Sequence, residues 1–264
     1  MSDAEMRPVR VAVVGAARGI GSEVAMSLAK SGAMVAAIDF ALDNSELGYS
    51  LGRIDTADFG EFSKDILRIG ADAREPQEMA AAAQRIRAEM GGLDQLVVTA
   101  GGIVGGQNLS DSDAEAIRLA MDFNLFTIHN SVRAMVPLIK ESASISCRRV
   151  VGVTSVAGSK ALGGIGPYVA AKHAAVGYLK TLAVELAPEA ITVNWVSPGS
   201  TDTEILKQSA ELYGLGSVED FTVHHRLARL ISANEVAAAI VFLLSESAGA
   251  ITGLDLFVDA GMRL

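Results

Sequence analysis

Two side chains with complementary chemistry, Tyr168 and Lys172, lie four residues apart in a helical stretch of the sequence. Residues at this spacing share one face of a helix, so the phenol and the ammonium group are expected to be neighbours. A tyrosine, with a reference pKa of about 10, gives up its proton reluctantly at neutral pH, but a nearby cation favours the phenolate and lowers that pKa. The pair therefore predicts proton exchange with a bound molecule, with Tyr168 as general acid or base.

Apolar strands that alternate with helices must position this pair. We predict strands at 9–14, 33–38, 66–69, 95–99, 150–154, 191–196 and 255–258, and helices at 19–30, 77–90, 112–139, around Tyr168, and at 234–244. This alternation predicts an α/β fold, a single-domain, Rossmann-like, doubly wound parallel sheet. Ligands of such sheets bind at the carboxyl ends of the strands, so one rim is expected to carry Gly15, Asp39, Asp72, Thr99, Ser155 and Ser197.

Composition narrows the function classes. The 264 residues have a net charge of -9 and no clustered Lys and Arg, which argues against a nucleic-acid partner. No linker or repeat divides the chain, so we expect one domain over residues 1–264. No apolar run of membrane-spanning length occurs and the first ten residues are charged, so we expect a cytoplasmic protein without membrane contact. The single cysteine, Cys147, is expected to be an ordinary packing or surface residue.

A glycine-rich turn follows the first predicted strand and opens a helix. Glycines allow a tight turn and close approach of the backbone, and a helix N-terminus offers free N–H groups to a pyrophosphate. We therefore predict that a dinucleotide contacts Gly15, Ala17, Arg18, Gly19, Ile20 and Gly21. Asp39, at the end of the second strand, would accept hydrogen bonds from the ribose of NAD and repel the 2′-phosphate of NADP. NAD is thus favoured over NADP, although Arg18 leaves room for that phosphate and Asp39 could instead cap a turn.

These motifs, with Ser155 before Tyr168 and Ser197-Pro198-Gly199 after the next strand, resemble the short-chain dehydrogenase/reductase family across nearly the whole chain. The resemblance implies further cofactor contacts on both sides of the site, from Asp72, Ala73, Thr99, Ala100, Gly101, Tyr168, Lys172, Pro198, Gly199, Thr201 and Thr203. It also exposes two departures. Val14 stands where the family usually has a threonine, and Val98-Thr99 replaces the usual Asn-Asn, so a turn-stabilising hydroxyl and the asparagine contacts are expected to be missing.

The resemblance also implies four catalytic roles. Tyr168 exchanges a proton with the substrate oxygen, and Ser155 hydrogen-bonds that oxygen. Lys172 lowers the tyrosine pKa and holds the nicotinamide ribose, while Asn124 supports a water that links Lys172 to solvent. The expected function is an NAD(P)-dependent oxidoreductase that interconverts a small, cyclic or apolar secondary alcohol and a ketone by hydride transfer. Its assembly is expected to be a homotetramer or a homodimer.

Two alternatives for function stay open. The sequence from Ser197 to Thr203 also resembles dihydrodiol dehydrogenases that produce an aromatic diol, and a non-catalytic dinucleotide-binding regulatory protein would keep the same fold. Residues 204–229 are interpreted as a substrate lid or, equally, as a helix pair at a subunit interface. Their adjacent His224 and His225 are expected at the surface or in the lid, with no metal bound. The long segment 40–71 is interpreted as an excursion on the adenine side.

Overall fold

The structure is a computed structural model that describes residues 7–42 and 46–264. Residues 1–6, part of the charged N-terminal stretch, and residues 43–45, part of the long segment 40–71, lie outside the described residues.

The core of the fold is a parallel sheet, as the apolar runs predict. Its described strands are β1 Arg10–Val14, β2 Met34–Asp39, β3 Leu67–Gly70, β4 Gln95–Val98, β5 Arg149–Val153, β6 Thr192–Pro198 and β7 Asp255–Val258. They lie in the order β3-β2-β1-β4-β5-β6-β7, and every neighbouring pair is parallel. The order reverses between β1 and β4, so the carboxyl ends of these two strands border the crevice in which such sheets bind ligands. The predicted fold class is confirmed.

Helices cover both faces of the sheet. They are α1 Gly19–Lys30, α2 Pro76–Met90, α3 Ala114–Met121, α4 Thr127–Lys140, α5 Gly166–Leu186, α6 Glu204–Tyr213 and α7 Ala233–Leu244. One apolar cluster joins α2, α4 and α5 to the sheet, and a second joins α1 and α7 to its other face. Because both faces are covered, the strands carry runs of apolar residues instead of an alternating pattern. Nowhere in residues 7–42 and 46–264 does a helix combine the length and apolar character that crossing a membrane requires.

The expectation of one regular helix over 112–139 is wrong in detail. A π turn at Asp122–Phe126 separates α3 from α4. Such a turn widens the backbone by one residue and is frequent at functional sites. The Asn124 side chain lies inside the turn, and its Nδ2 donates to the Ala120 carbonyl oxygen at 2.9 Å. Hydrophobic spacing alone could not reveal this one-residue change of pitch.

The connection between β2 and β3 contains no α-helix among its described residues, only a 3₁₀ turn at Gly60–Lys64. Phe59 is fully buried against the α1 side of the sheet. Further along the groove, the Tyr49 hydroxyl accepts a hydrogen bond from the backbone N–H of Ile103 at 2.9 Å. This segment therefore packs against the sheet at Phe59 and contacts the loop that follows β4 through Tyr49.

Candidate active site

The glycine turn between β1 and α1 has no room for side chains at two positions. At Gly15, where φ is +85°, a Cβ atom would lie 2.5 Å from the Ala100 nitrogen, and at Gly21 it would lie 2.0 Å from the Gly15 oxygen. The N-cap residue of α1, Arg18, does not cap the helix with its side chain. The first N–H groups of α1 therefore face the groove, which is the arrangement that binds a pyrophosphate.

Thr99 stabilises this turn from the neighbouring strand. Its Oγ1 lies 2.9 Å from the Val14 oxygen and 2.9 Å from the Gly15 oxygen, so the hydroxyl donates to the turn carbonyls. The expectation that the turn lacks a stabilising hydroxyl is wrong, because Thr99 supplies from β4 what Val14 cannot supply from β1. One departure from the family pattern, Thr99, thus compensates for the other, Val14.

Asp39 lies at the carboxyl end of β2 and faces the glycine turn. Its Oδ2 accepts from the Ala17 N–H at 2.8 Å, and its Oδ1 accepts from the Phe40 N–H at 2.9 Å. Burial raises the pKa of Asp39 to about 6, against the lowering effect of these two hydrogen bonds and of Arg18. Each oxygen keeps a lone pair for another donor. Asp39 thus holds the turn and is also placed to bind a ribose.

The groove beside these residues forms a cavity of about 410 Å³. The residues of the predicted cofactor set that line it are Gly15, Arg18, Gly19, Ile20, Gly21, Asp39, Asp72, Ala73, Thr99, Ala100, Gly101 and Thr203. The Asp72 carboxylate is paired with Arg74, with 2.7 Å between Oδ2 and Nη2. Ser197 does not belong to this rim: it is fully buried in β6, where its Oγ bonds Thr154 and Asp255.

A second cavity, of about 450 Å³, lies at the other end of the groove. The two cavities adjoin, since both are lined by Ile20, Thr99, Gly101, Thr203 and Ile205. The second cavity brings together the four predicted catalytic residues Asn124, Ser155, Tyr168 and Lys172, and the predicted loop contacts Pro198, Gly199, Thr201 and Thr203 also line it.

Lys172 and Tyr168 are neighbours on the first turns of α5, as their spacing predicts. The Lys172 Nζ lies 5.6 Å from the centroid of the Tyr168 ring and donates to the Val153 oxygen at 3.3 Å. The Lys172 side chain is 4% exposed. Ser155 follows β5 and begins a 3₁₀ turn, with its Oγ accepting from the Ala157 N–H at 3.1 Å.

Burial controls the titration of this pair. It raises the pKa of Tyr168 to about 12, although Ser155 lowers it, and Tyr49 adds to the rise. Burial also lowers the pKa of Lys172 to about 8. The expected lowering of the Tyr168 pKa by Lys172 is therefore not seen in this structure: burial disfavours the phenolate and sets the direction of the shift, and the group that opposes it is Ser155, not Lys172. At neutral pH the phenol is protonated and Lys172 is charged.

Asn124 holds the loop that follows β4. Its Nδ2 donates to the Gly102 oxygen at 2.8 Å, and its Oδ1 accepts from the Gly102 N–H at 3.3 Å. A Cβ atom on Gly101 would lie 2.9 Å from the Asn124 Oδ1 and 3.4 Å from the Lys172 Nζ. The π turn, the loop and Lys172 thus meet at one point. The predicted water between Asn124 and Lys172 stays a prediction.

The second cavity is apolar. Side chains from four segments line it, among them Ile103, Val156, Leu162, Ile165, Leu206, Leu215, Phe221 and Met262. Among the described residues that line it, Lys172 is the one side chain with a formal charge at neutral pH. Part of this lining comes from residues 204–229, and the Tyr213 hydroxyl of α6 donates to the oxygen of Gly163, another lining residue, at 2.7 Å.

The two adjacent histidines have different surroundings. His224 is exposed and lines the second cavity, in keeping with a surface or lid position. His225 is 4% exposed and hydrogen-bonds the loop after β6, so of the two expected positions, surface or lid, the structure excludes the surface. In the described part of the chain, no three His, Cys, Asp or Glu side chains come together as a metal site would require.

Sequence reasoning also missed the role of Tyr49 near the site, since an isolated tyrosine in an irregular segment gives no signal.

The comparisons with known proteins agree with this geometry. A family model described as "Enoyl-(Acyl carrier protein) reductase" matches residues 15–263. The chain belongs to the short-chain dehydrogenase/reductase family. Membership in this family makes it an oxidoreductase that acts on CH–OH groups and binds a nicotinamide dinucleotide.

Several members of the short-chain dehydrogenase/reductase family are similar over their whole length. The (-)-trans-carveol dehydrogenase of Rhodococcus erythropolis is 33% identical, over 96% of each chain. The 2,3-dihydro-2,3-dihydroxybenzoate dehydrogenase of Bacillus subtilis is 34% identical, over 96% of this chain and 95% of its own. A solved structure, carveol dehydrogenase from Mycobacterium avium in complex with NAD, has a TM-score of 0.89 and 29% identity, over 98% of each chain.

Proposed function

We propose that this protein is an NAD-linked dehydrogenase or reductase that interconverts a neutral, apolar secondary alcohol and its ketone. The observation that carries the proposal is the meeting of Ser155, Tyr168 and Lys172 in an apolar cavity that adjoins the dinucleotide groove. A (-)-trans-carveol dehydrogenase and a cyclohexanol dehydrogenase are among its relatives, which supports a cyclic alcohol as substrate.

NAD, when bound, supplies the hydride acceptor for oxidation, or in its reduced form the hydride donor for reduction. The side chains handle the proton and the charge on oxygen. In the direction of reduction, the protonated Tyr168 phenol donates to the substrate oxygen while Ser155 hydrogen-bonds the same oxygen. Lys172, charged below about pH 8, stabilises the phenolate that remains. In the direction of oxidation the same groups act in reverse.

The lining of the second cavity favours a neutral substrate. A substrate with a carboxylate needs a paired cation when it is buried, because an unpaired buried charge is costly. Lys172 is the one charged side chain among the described lining residues, and its charge already serves to stabilise the Tyr168 phenolate. The dihydrodiol alternative, supported by the Bacillus subtilis relative and by the sequence from Ser197 to Thr203, is therefore restricted to dihydrodiols without a carboxylate.

Asp39 supports NAD over NADP as the cofactor. The half-buried carboxylate at the end of β2 accepts hydrogen bonds from ribose hydroxyls and repels a 2′-phosphate. The next residue is Phe40, which offers no cation to that phosphate. Arg18 also lines the groove, and it is the residue that would pair with the 2′-phosphate of NADP.

We also propose that residues 204–229 are a substrate lid and that the protein is a homotetramer or a homodimer. The contact between Tyr213 and Gly163 closes one side of the cavity and supports the lid. Two exposed apolar side chains, Val184 on α5 (76% exposed) and Phe126 just before α4 (45% exposed), support burial against another copy.

Cofactor absorbance with a panel of cyclic alcohols and ketones tests the proposed reaction. We expect turnover in the wild type and a loss of about 10²–10⁴-fold in Tyr168→Phe, with NADH binding retained. Tyr178→Phe is the matched control, because Tyr178 lies on the same helix but faces His129. Unchanged turnover in Tyr168→Phe would overturn the mechanism. NADH binding without turnover on any panel member would favour the non-catalytic regulatory protein.

A further inference from the structure

His225 is a buried histidine that no part of the proposed chemistry uses. It follows the 3₁₀ turn Val218–His224 and is 4% exposed. Both ring nitrogens have partners. The Nε2 lies 3.1 Å from the backbone nitrogen of Ser200, and the Nδ1 lies 2.5 Å from the backbone oxygen of Arg229.

These partners determine the tautomer of the ring. The Arg229 oxygen can only accept, so the Nδ1 must carry a proton, whereas the Ser200 N–H can only donate, so the Nε2 must offer its lone pair. His225 is therefore the neutral Nδ1–H tautomer. A second proton on the ring would set two donors against each other at Ser200.

The ring joins the two ends of the segment 204–229. Its Nε2 contacts the loop that leads from β6 into α6, and its Nδ1 contacts the chain that leads from the segment back to α7. Ile231 reinforces the same junction, because its N–H donates to the Ser200 oxygen at 3.1 Å and its oxygen accepts from the Asp202 N–H at 2.9 Å.

Gly199 is enclosed at this junction. Its N–H donates to the Val258 oxygen at 3.0 Å, and an added Cβ atom would lie 3.0 Å from the Asp259 Cα and 3.2 Å from the His225 Nε2. The backbone of this loop is thus fixed on one side by β7 and on the other by the imidazole ring.

We propose that His225 is a positioning residue for the cofactor: its imidazole, by accepting from Ser200, holds the loop 199–203 in the form that contacts the nicotinamide half of the dinucleotide. This inference rests on the proposed function, because that function places Thr201 and Thr203 beside the nicotinamide. His225 lines neither of the two cavities, so its effect passes through the backbone of the loop.

Two isosteric variants separate the two hydrogen bonds of the ring. In His225→Gln the side-chain oxygen lies as many bonds from Cα as the Nε2, so it can still accept from Ser200. In His225→Asn the amide nitrogen matches the Nδ1, so the bond to Arg229 survives and the bond to Ser200 is lost. His173→Asn, which removes an exposed histidine from α5, is the matched control.

The readouts are the NADH dissociation constant from fluorescence titration, the cofactor KM and kcat, and thermal unfolding without cofactor. In His225→Asn we expect the NADH dissociation constant and the cofactor KM to rise about tenfold, because the Ser200 N–H is left unpaired. His225→Gln is expected to stay within about threefold of the wild type, and kcat at saturating cofactor to change little in both. Equal NADH affinity in the two variants overturns the inference, as does a loss confined to kcat.

A measurement on the wild type keeps the inference testable if His225→Asn does not fold. Nitrogen NMR of the ring must show the Nδ1–H tautomer, and the Ser200 amide must be protected from hydrogen exchange. The Nε2–H tautomer or an unprotected amide overturns the inference. A wild type that does not bind NADH contradicts the proposed function itself, whereas a wild type that binds it with both variants unaffected contradicts only the role of His225.

Discussion

Asp39 carries the charge on which the proposed choice of cofactor depends, and its raised pKa makes that choice dependent on pH. The residue is half-buried beside the groove, and the loss of solvent around its carboxyl group raises the pKa to about 6. At pH 8 about 99% of the group is ionised, and at pH 5 about a tenth. If the ribose hydroxyls bind the ionised form, the NADH dissociation constant is expected to rise about tenfold between pH 8 and pH 5.

The same protonation has the opposite effect on NADPH, because it removes the negative charge that faces the 2′-phosphate. The preference for NADH over NADPH should therefore narrow as the pH falls through about 6. The 2′-phosphate itself titrates with a pKa of about 6, so its own contribution must be subtracted. Asp39→Asn provides this correction, since any pH dependence that remains in it does not come from Asp39.

Fluorescence titration of both reduced cofactors across this pH range measures the effect. In Asp39→Asn we expect NADH binding that is weak at pH 8 and nearly independent of pH. Asp65→Asn removes an exposed carboxylate instead and should behave as the wild type. An NADH dissociation constant that is flat from pH 8 to pH 5 in the wild type, or one that rises equally in Asp39→Asn, would refute the reasoning.

Three further substitutions test other contacts by urea unfolding. Tyr49→Phe leaves the buried N–H of Ile103 without its acceptor and should lower the free energy of unfolding by about 1–3 kcal/mol; equal stability would show that water replaces the hydroxyl. Thr99→Val should cost about 1 kcal/mol and weaken NADH binding, since the glycine turn loses its hydroxyl donor; unchanged binding would contradict its role in the turn. Asp94 accepts hydrogen bonds from two arginines near the start of β1, and although burial raises its pKa, these bonds hold the pKa well below its usual range. Asp94→Asn should therefore lower the free energy of unfolding by about 3 kcal/mol at pH 7. The contribution of the ionised Asp94 is lost as the pH falls through its folded pKa, so the difference in stability between wild type and variant should shrink below about pH 4. A difference that stays constant with pH would contradict this role.

The sequence was sufficient to predict the sheet and most of the site, because these features depend on local patterns. Buried parallel strands require unbroken apolar runs, and each run is followed by the polar or glycine residue that lies on the rim. Tyr168 and Lys172 come together through helical spacing alone. Elements of this kind need no knowledge of distant contacts.

The features that the sequence did not reveal depend on contacts between distant segments. Thr99 bonds a carbonyl 85 positions away, and Tyr49 bonds a backbone nitrogen 54 positions away. His225 reaches the loop at Ser200 only because the segment between them folds back on itself. Spacing also showed that Lys172 approaches Tyr168 but not how deeply both are buried, and burial decides their titration.

The wide π turn at Asp122–Phe126 lets the chain hold one extra residue between α3 and α4. It accommodates one residue more than an α-helix of the same rise, so the removal of any one of its residues would restore the regular pitch. Each residue of an α-helix turns the chain by about 100°, and the wide turn absorbs that rotation, so α4 presents the same face to its neighbours as it would in a regular helix without the extra residue. Since α3 packs against α5 while α4 packs against α2, both contacts would survive the deletion. A single-codon deletion in this stretch would therefore leave the scaffold aligned and remove only the wide turn that places Asn124 beside Gly102.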